Sequence, residues 1–281
     1  MIAWFVDPFQ YEFMQRSLLG GALAATICAV VGTWVVLRGL AFMGDALAHG
    51  VLPGIALAFL WGFDLTIGAL VSAAVMVAGI NLVNRRGNLR EDTGIGLLFV
   101  GMLALGVIII SRASTFTTDL TGFLFGNVLG VTSADLRTQA VAAVLTIAAC
   151  TLLYRPFLAL AFNQDKAALL GLRPRLANVV LLGLIAIAVV SSFRAVGTLL
   201  VFGLLIAPPA TASLLVRRVP TMMITAAAIG VASVALGLVL SFPSATAAGA
   251  PMAGTAVLVF FVVLAGTELV RTLRRPSTAL A

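Results

Sequence analysis

The chain has 281 residues, of which 62% are hydrophobic and only 10% are charged, and its mean hydropathy is +1.17. A water-soluble domain carries roughly a quarter of charged residues, so this composition excludes a soluble protein and indicates one that is solvated by lipid. The formal net charge of +7 comes from short basic clusters between apolar runs, which is the pattern of cytoplasmic loops, and we therefore expect no nucleic-acid partner.

The N-terminal segment, residues 1–16, precedes the first long apolar run and carries Asp7, Glu12 and Arg16. It has no basic stretch followed by a small-residue cleavage site, the features that mark a signal peptide. We expect this segment to be interfacial, lying at the membrane surface before the first span.

Apolar runs close to the roughly twenty residues that a helix needs to cross a bilayer dominate the rest of the chain. They lack the even alternation of barrel strands, so the predicted fold is all-α. No hydrophilic stretch is long enough for a separate soluble domain, and we expect residues 1–281 to form a single polytopic domain in the cytoplasmic membrane. The candidate spans are 17–37, 41–60, 64–83, 94–111, 139–155, 176–193, 195–216, 221–241 and 252–270.

The positions of the basic side chains predict how these spans are oriented in the membrane. They form four clusters, each separated from the next by two candidate spans, so all four can face the cytoplasm together. Nine spans then place the N-terminus outside, whereas eight place both termini inside, and the interrupted runs 41–60 and 195–216 leave the count at eight or nine. The clusters are Arg85/Arg86/Arg90, Arg155/Lys166/Arg173/Arg175, Arg217/Arg218 and Arg271/Arg274/Arg275.

Two further features interrupt the apolar pattern. Residues 112–138 hold three glycines and only short apolar pieces, so we expect an interfacial or re-entrant segment on the outer side. The pair Pro208–Pro209 lies inside a candidate span and predicts a break or kink there, because proline lacks the amide donor.

An aspartate and the only histidine of the chain lie in the second apolar run. Asp45 and His49 are four residues apart, a spacing that stacks both side chains on one face of a helix. An ionised carboxylate near mid-membrane costs about 2.5–3.5 kcal/mol, so the pair must face a pore or a partner. One interpretation is that His49 hydrogen-bonds Asp45 and stabilises helix packing. The other is a substrate site.

Carboxylate oxygen and imidazole nitrogen are ligands that suit Mn, Fe and Zn. One chain offers two such ligands, which is too few to hold an ion. Two copies that meet at a central pore would supply two carboxylates and two imidazoles around one axis, and these make a four-ligand site.

Five segments, in this order along the chain, carry a resemblance to a known family. They are LRGLAFMGDALAHGVLPG at 37–54, EDTGIG at 91–96, LFGNVLG at 124–130, AVGTLLV at 195–201 and LIAPPATA at 205–212. With them the chain resembles the membrane permeases of ATP-binding-cassette importers for manganese, zinc and iron over nearly its whole length. The resemblance implies that Asp45 and His49 line the translocation path and coordinate the metal.

The resemblance also implies partners. Within the cytoplasmic loop 156–175, the segment 162–172 resembles the coupling helix that docks on an ATPase subunit, although an ordinary amphipathic connection would look similar. The chain has no Gly-x-x-x-x-Gly-Lys-Ser/Thr loop for ATP, so we expect a transport subunit and not an enzyme, with no intrinsic cofactor and with ATP bound by the partner. An extracellular metal-binding protein and a second permease copy or paralogue complete the expected assembly.

Two other functions stay open at this stage. A secondary transporter driven by an ion gradient would need no ATPase, and a permease of the same general type could carry a metal chelate or a vitamin. An intramembrane zinc protease is excluded, because one histidine cannot supply a His-Glu-x-x-His helix. The ligands alone do not distinguish Mn, Fe and Zn.

Overall fold

The computed structural model describes residues 10–86, 91–111, 128–162, 172–244 and 247–274. These ranges contain ten α-helices and a short 3-10 helix at Val128–Gly130, and no β-strand occurs in them, which confirms the all-α prediction. The helices are α1 (Glu12–Leu37), α2 (Ala41–Gly50), α3 (Leu52–Trp61), α4 (Leu65–Arg86), α5 (Glu91–Ile110), α6 (Ser133–Leu152), α7 (Tyr154–Phe162), α8 (Pro174–Leu215), α9 (Val219–Ser244) and α10 (Gly249–Arg274).

Nine helical segments in the described ranges are long and apolar enough to cross a membrane. Each overlaps one of the predicted apolar runs, and α2 and α3 together make one span, Ala41–Trp61. With the basic clusters expected to face the cytoplasm, nine spans predict an outer N-terminus and a cytoplasmic turn between α1 and α2.

The helix α8 contains two spans that run in opposite directions. A straight helix of 42 residues would be roughly 63 Å long, yet both of its ends lie beside the end of α1. Arg38 donates a hydrogen bond to Asn178 near the start of α8, and Val36 packs against the same small buried cluster as Val216 just after its end. The reversal falls at Gly197, whose φ of 78° is readily adopted by glycine.

Of the break or kink predicted at Pro208–Pro209, the break is wrong, since both prolines lie inside the helical part of α8 and the non-helical residue is Gly197. Proline at position 209 leaves the carbonyl of Leu205 without its usual amide partner. A side-chain carbon at Gly32 would collide with that carbonyl oxygen, so α1 packs directly over it. Close packing by glycine therefore covers the defect without unwinding the helix.

The helix α6 begins earlier than predicted. Residues 133–138, which the sequence assigned to an interfacial segment, form its first turns. The reason is a capping box, in which the amide of Asp135 donates to the hydroxyl oxygen of Thr132 at 3.2 Å and the amide of Thr132 donates to the Asp135 carboxylate at 3.1 Å. This cap starts the helix on polar residues, ahead of the apolar run.

Several predicted segments lie wholly or partly outside the described residues. These are positions 1–9 of the N-terminal segment, 112–127 of the outer segment and 163–171 of the coupling loop. On either side of the last gap, α7 ends at Phe162 and α8 begins at Pro174.

The end of α1 is fixed at the level of the basic clusters. The ring of Trp34 lies edge-on to Tyr154 and Phe157 of α7, with centroid separations of 5.7 and 5.6 Å. Cys28 and Cys150 are buried and free, as predicted. Packing of Trp34 against α7 therefore holds the end of α1 in place and fixes where α2 starts.

Candidate metal centre

A tight turn sets the start of α2. Gly39 has a φ of 68°, and its amide donates to the carbonyl of Val36 while the amide of Leu40 donates to Val35 at 2.9 Å. These are the two hydrogen bonds of a Schellman motif, which glycine favours at this position. The chain thus reverses within three residues and starts α2 directly beside the end of α1.

One side of α2 is packed tightly against its own subunit. A side-chain carbon at Gly44 would come within 2.5 Å of Leu205 on α8, and one at Gly50 would collide with the sulfur of Met76 on α4. Met43, Ala46 and Leu47 are also buried. These contacts fix the rotation of α2, so its opposite side is the one left accessible.

The structure places both predicted metal ligands together on that accessible side. The Nε2 atom of His49 lies 3.4 Å from Oδ1 of Asp45, which is longer than the roughly 2.7–3.2 Å of a well-formed hydrogen bond. The side chains are 31% and 27% exposed for Asp45 and His49 respectively. The two groups are adjacent, and part of each is open to a partner or to solvent.

Two aromatic residues beside the pair were missed by the sequence reasoning. The ring of Phe99 on α5 stands edge-on to His49 at a centroid separation of 5.7 Å and to Phe42 at 5.5 Å. Phe42 is three residues before Asp45, so its spacing could have revealed that it shares the stripe. No signal in the sequence pointed to Phe99, because its contacts come from another helix.

The helix breaks immediately after the pair. Val51 separates α2 from α3, and Pro53 at the start of α3 has no amide to donate back to the carbonyl of His49. The hydroxyl of Ser72 on α4 donates to the carbonyl of Gly50 at 2.8 Å. A side-chain hydroxyl thus satisfies a backbone group freed by the break, as irregular backbone in a membrane requires.

The helix α3 is held against α4 by direct backbone contact. A side-chain carbon at Gly54 would collide with the carbonyl oxygen of Gly68, and one at Gly68 would collide with that of Gly54. The α3–α4 hairpin is therefore closely packed on the outer side of the break, whereas α2 packs on α5 and α8.

Within the described part of the chain, no group of three or more His, Cys, Asp or Glu side chains is arranged to hold a metal ion. Among the described residues, Asp45 and His49 therefore form a pair with no third carboxylate, imidazole or thiol beside them.

Residues 10–267, most of the chain, match the ABC 3 transport family. The chain belongs to that family. The ABC 3 match confirms the resemblance to the permeases of ATP-binding-cassette transporters, and together with the nine candidate spans it identifies a multi-pass membrane permease.

Individual relatives of this ABC 3 permease extend over almost its whole length. The manganese transport system membrane protein MntC of Listeria monocytogenes is 36% identical over 253 residues, which are 90% of each chain. The chelated iron transport system membrane protein YfeD of Yersinia pestis is 35% identical over 257 residues, 92% of this chain and 86% of that relative. A chain in the solved structure of PsaBC from Streptococcus pneumoniae in complex with Fab superposes with a TM-score of 0.83 at 31% identity, covering 94% of this chain and 95% of that chain.

Proposed function

We propose that this permease carries a divalent transition metal ion, manganese or iron, across the cytoplasmic membrane, and that Asp45 and His49 bind the ion in transit. The observation that carries the proposal is the position of both side chains, adjacent and partly accessible, on the side of α2 that the described part of its own subunit covers least. Residues 1–281 act in this proposal as one permease domain.

The geometry of the pair suits one ion. Two ligand atoms about 2.0–2.1 Å from a zinc ion, at a tetrahedral angle, lie about 3.3 Å apart, and manganese and iron take the same ligand types. The Nε2 and Oδ1 atoms are 3.4 Å apart, so both can coordinate the same ion without a change of helix conformation. A pair that only stabilised packing would be expected to close into a shorter hydrogen bond.

The accessible side of α2 also supports a site shared between two permeases. A partly exposed carboxylate in a membrane span is costly if it faces lipid. A second copy, or a paralogue, with the same stripe across a central axis would cover the pair and add two more ligands. The ion would then have four protein ligands and lie on the path between the subunits.

The choice of cargo draws on the relatives, whose names refer to manganese in one case and chelated iron in the other. Zinc, which the sequence also allowed, shares the same ligand types. The second name favours a chelate as an alternative cargo. A chelate would arrive with its own ligands, so its transport would not need Asp45 and His49 to coordinate the metal.

Energy for transport would come from a separate ATPase subunit that docks on the cytoplasmic loop 156–175. An extracellular binding protein would deliver the ion to the outer side. Alternating access to one buried site would then follow from rocking of the permease pair. Membership of an ABC transport family supports this arrangement over a gradient-driven secondary transporter.

Manganese uptake by vesicles that contain the permease and its ATPase tests the proposal. We expect ATP-dependent uptake for the unchanged chain and a loss of most of it for His49→Ala and Asp45→Asn. Glu268→Gln is the matched control, because Glu268 is an exposed carboxylate on α10 that pairs with Arg271 of the same helix, and α10 packs on α8 and α9.

Each rival predicts a different result in the same assay. A secondary transporter would accumulate the ion without ATP when a gradient is applied. A chelate permease would carry the chelate equally well in His49→Ala and in the unchanged chain. Full manganese uptake by both ligand variants would overturn the proposed role of the pair.

A further inference from the structure

The accessible side of α2 carries an aromatic ring in line with the two metal ligands. Phe42, Asp45 and His49 are spaced by three and four residues, so they form one stripe along the helix. Phe42 is 42% exposed, whereas its neighbour Met43 is fully buried. The stripe that would face the translocation path is therefore polar at two positions and apolar at the third.

The order along the stripe follows from the topology. Arg38, in the turn before α2, contacts Asn178 near the start of α8, close to the basic residues Arg173 and Arg175. This end of α2 is thus the cytoplasmic end. Phe42 lies about 4–5 Å nearer to it than Asp45 does, at a rise of about 1.5 Å per residue.

The ring of Phe42 is linked to the ligand His49 through a third side chain. Phe99 contacts both rings edge-on, at centroid separations of 5.5 Å to Phe42 and 5.7 Å to His49. Such edge-to-face contacts favour defined ring orientations. If metal binding changes the orientation of the imidazole, the ring of Phe99 moves with it, and the ring of Phe42 must adjust as well.

We propose that Phe42 is the cytoplasmic gate residue of the permease, and that its ring, with the matching ring of the second copy, closes the path directly below the metal site. The inference rests on the proposed function, because it requires the stripe to line the path. A constriction of apolar rings excludes water, and a hydrated cation cannot cross it without losing its shell. Phe99 acts as the positioning residue that holds the ring in place.

Leakage of manganese in the absence of ATP tests this gate. Vesicles that contain the permease with its ATPase and a manganese-sensitive dye are placed in a manganese solution without nucleotide. We expect the unchanged chain to be tight, Phe42→Ala to leak severalfold faster and Phe42→Leu to stay close to the unchanged chain, since leucine keeps an apolar plug. Phe59→Ala is the matched control, because Phe59 is an exposed ring on α3, away from the stripe.

A second variant provides a rescue in the assembled protein. Phe42→Cys should leak like the alanine variant, and reaction with benzyl methanethiosulfonate should close the leak by restoring an aromatic ring. The natural Cys28 and Cys150 are buried, so they interfere little. If vesicles that contain Phe42→Ala or Phe42→Cys do not leak manganese, and the complex in them still hydrolyses ATP, the gate proposal is overturned.

Failure of the gate and failure of the proposed function give different results. If the unchanged chain shows no ATP-dependent manganese uptake, the proposed function fails. If it accumulates manganese and His49→Ala does not, while Phe42→Ala is tight without ATP, only the gate fails.

Discussion

The hydroxyl of Ser72 donates a hydrogen bond of 2.8 Å to the carbonyl of Gly50, the residue that directly follows His49. The bond joins α4 to the end of α2 at the point where the helix breaks before Pro53. It therefore fixes the position of the metal-binding stripe relative to the α3–α4 hairpin. In a membrane, where water cannot replace it, this bond is expected to matter for both stability and binding.

Replacing Ser72 by alanine removes this bond and leaves a buried carbonyl unpaired. We expect Ser72→Ala to lower the free energy of unfolding by about 1–2 kcal/mol and to weaken manganese binding, because the end of α2 loses its anchor. Thermal unfolding and manganese binding of the purified permease measure the two effects. Ser213→Ala is the control, since Ser213 is exposed and bonds only within its own helix. Equal behaviour of the two variants would contradict the anchoring role.

Backbone contact between Gly54 and Gly68 predicts strong intolerance to a small side chain. Gly54→Ala must push α3 and α4 apart, and overpacking of this kind costs about 1–3 kcal/mol or more. Gly101→Ala is a matched control on α5, where a side-chain carbon meets nothing within 4 Å. The yield and melting temperature of the two variants distinguish them, and a Gly54→Ala protein as stable as Gly101→Ala would contradict the close contact.

The hydrogen bond from Arg38 to Asn178, at 2.5 Å, joins the turn before α2 to the start of α8. Asn178 is only 8% exposed, so loss of this hydrogen bond leaves a nearly buried amide group without that partner. We expect Asn178→Ala and Arg38→Gln each to destabilise the permease by about 1–2 kcal/mol. The double variant should lose less than the sum of the two, because the residues share one interaction. Denaturation of all four proteins measures this, and strict additivity would show that the pair is not coupled.

The nine-span topology can be tested by labelling single cysteines on the two sides of the membrane. We expect an impermeant maleimide to label Gln10→Cys on intact cells and to label Arg218→Cys only after the cells are opened. Cys28 and Cys150 are buried and give little background. With eight spans the N-terminus would be inside, so protection of Gln10→Cys in intact cells would contradict the nine-span topology.

Much of the architecture could be predicted from the sequence, because hydropathy and basic clusters depend on composition over long windows. The spans are of this kind. The pair Asp45 and His49 was found from its spacing of four residues, which puts both side chains on one side of α2. The start of α6 was missed because a local capping box at Thr132, not the apolar run, decides where that helix begins. The sequence placed a reversal between the spans 176–193 and 195–216, but it did not single out Gly197, whose backbone is the non-helical one in α8.

What the sequence could not provide are contacts between distant residues. The bond from Arg38 to Asn178 joins positions 140 residues apart, and the ring of Phe99 reaches His49 from another helix. Neither contact leaves a periodic pattern. The spacing of four residues puts Asp45 and His49 on one side of α2, and these contacts fix where that side lies in the subunit.

The coordination of manganese by His49 is the central claim, and it can be measured directly because the chain has a single histidine. Electron spin-echo spectroscopy of Mn²⁺ bound to the purified permease should show coupling to an imidazole nitrogen. We expect this signal to change when the protein is made with ¹⁵N-histidine and to disappear in His49→Ala. Bound Mn²⁺ without nitrogen coupling in the unchanged chain would contradict the account.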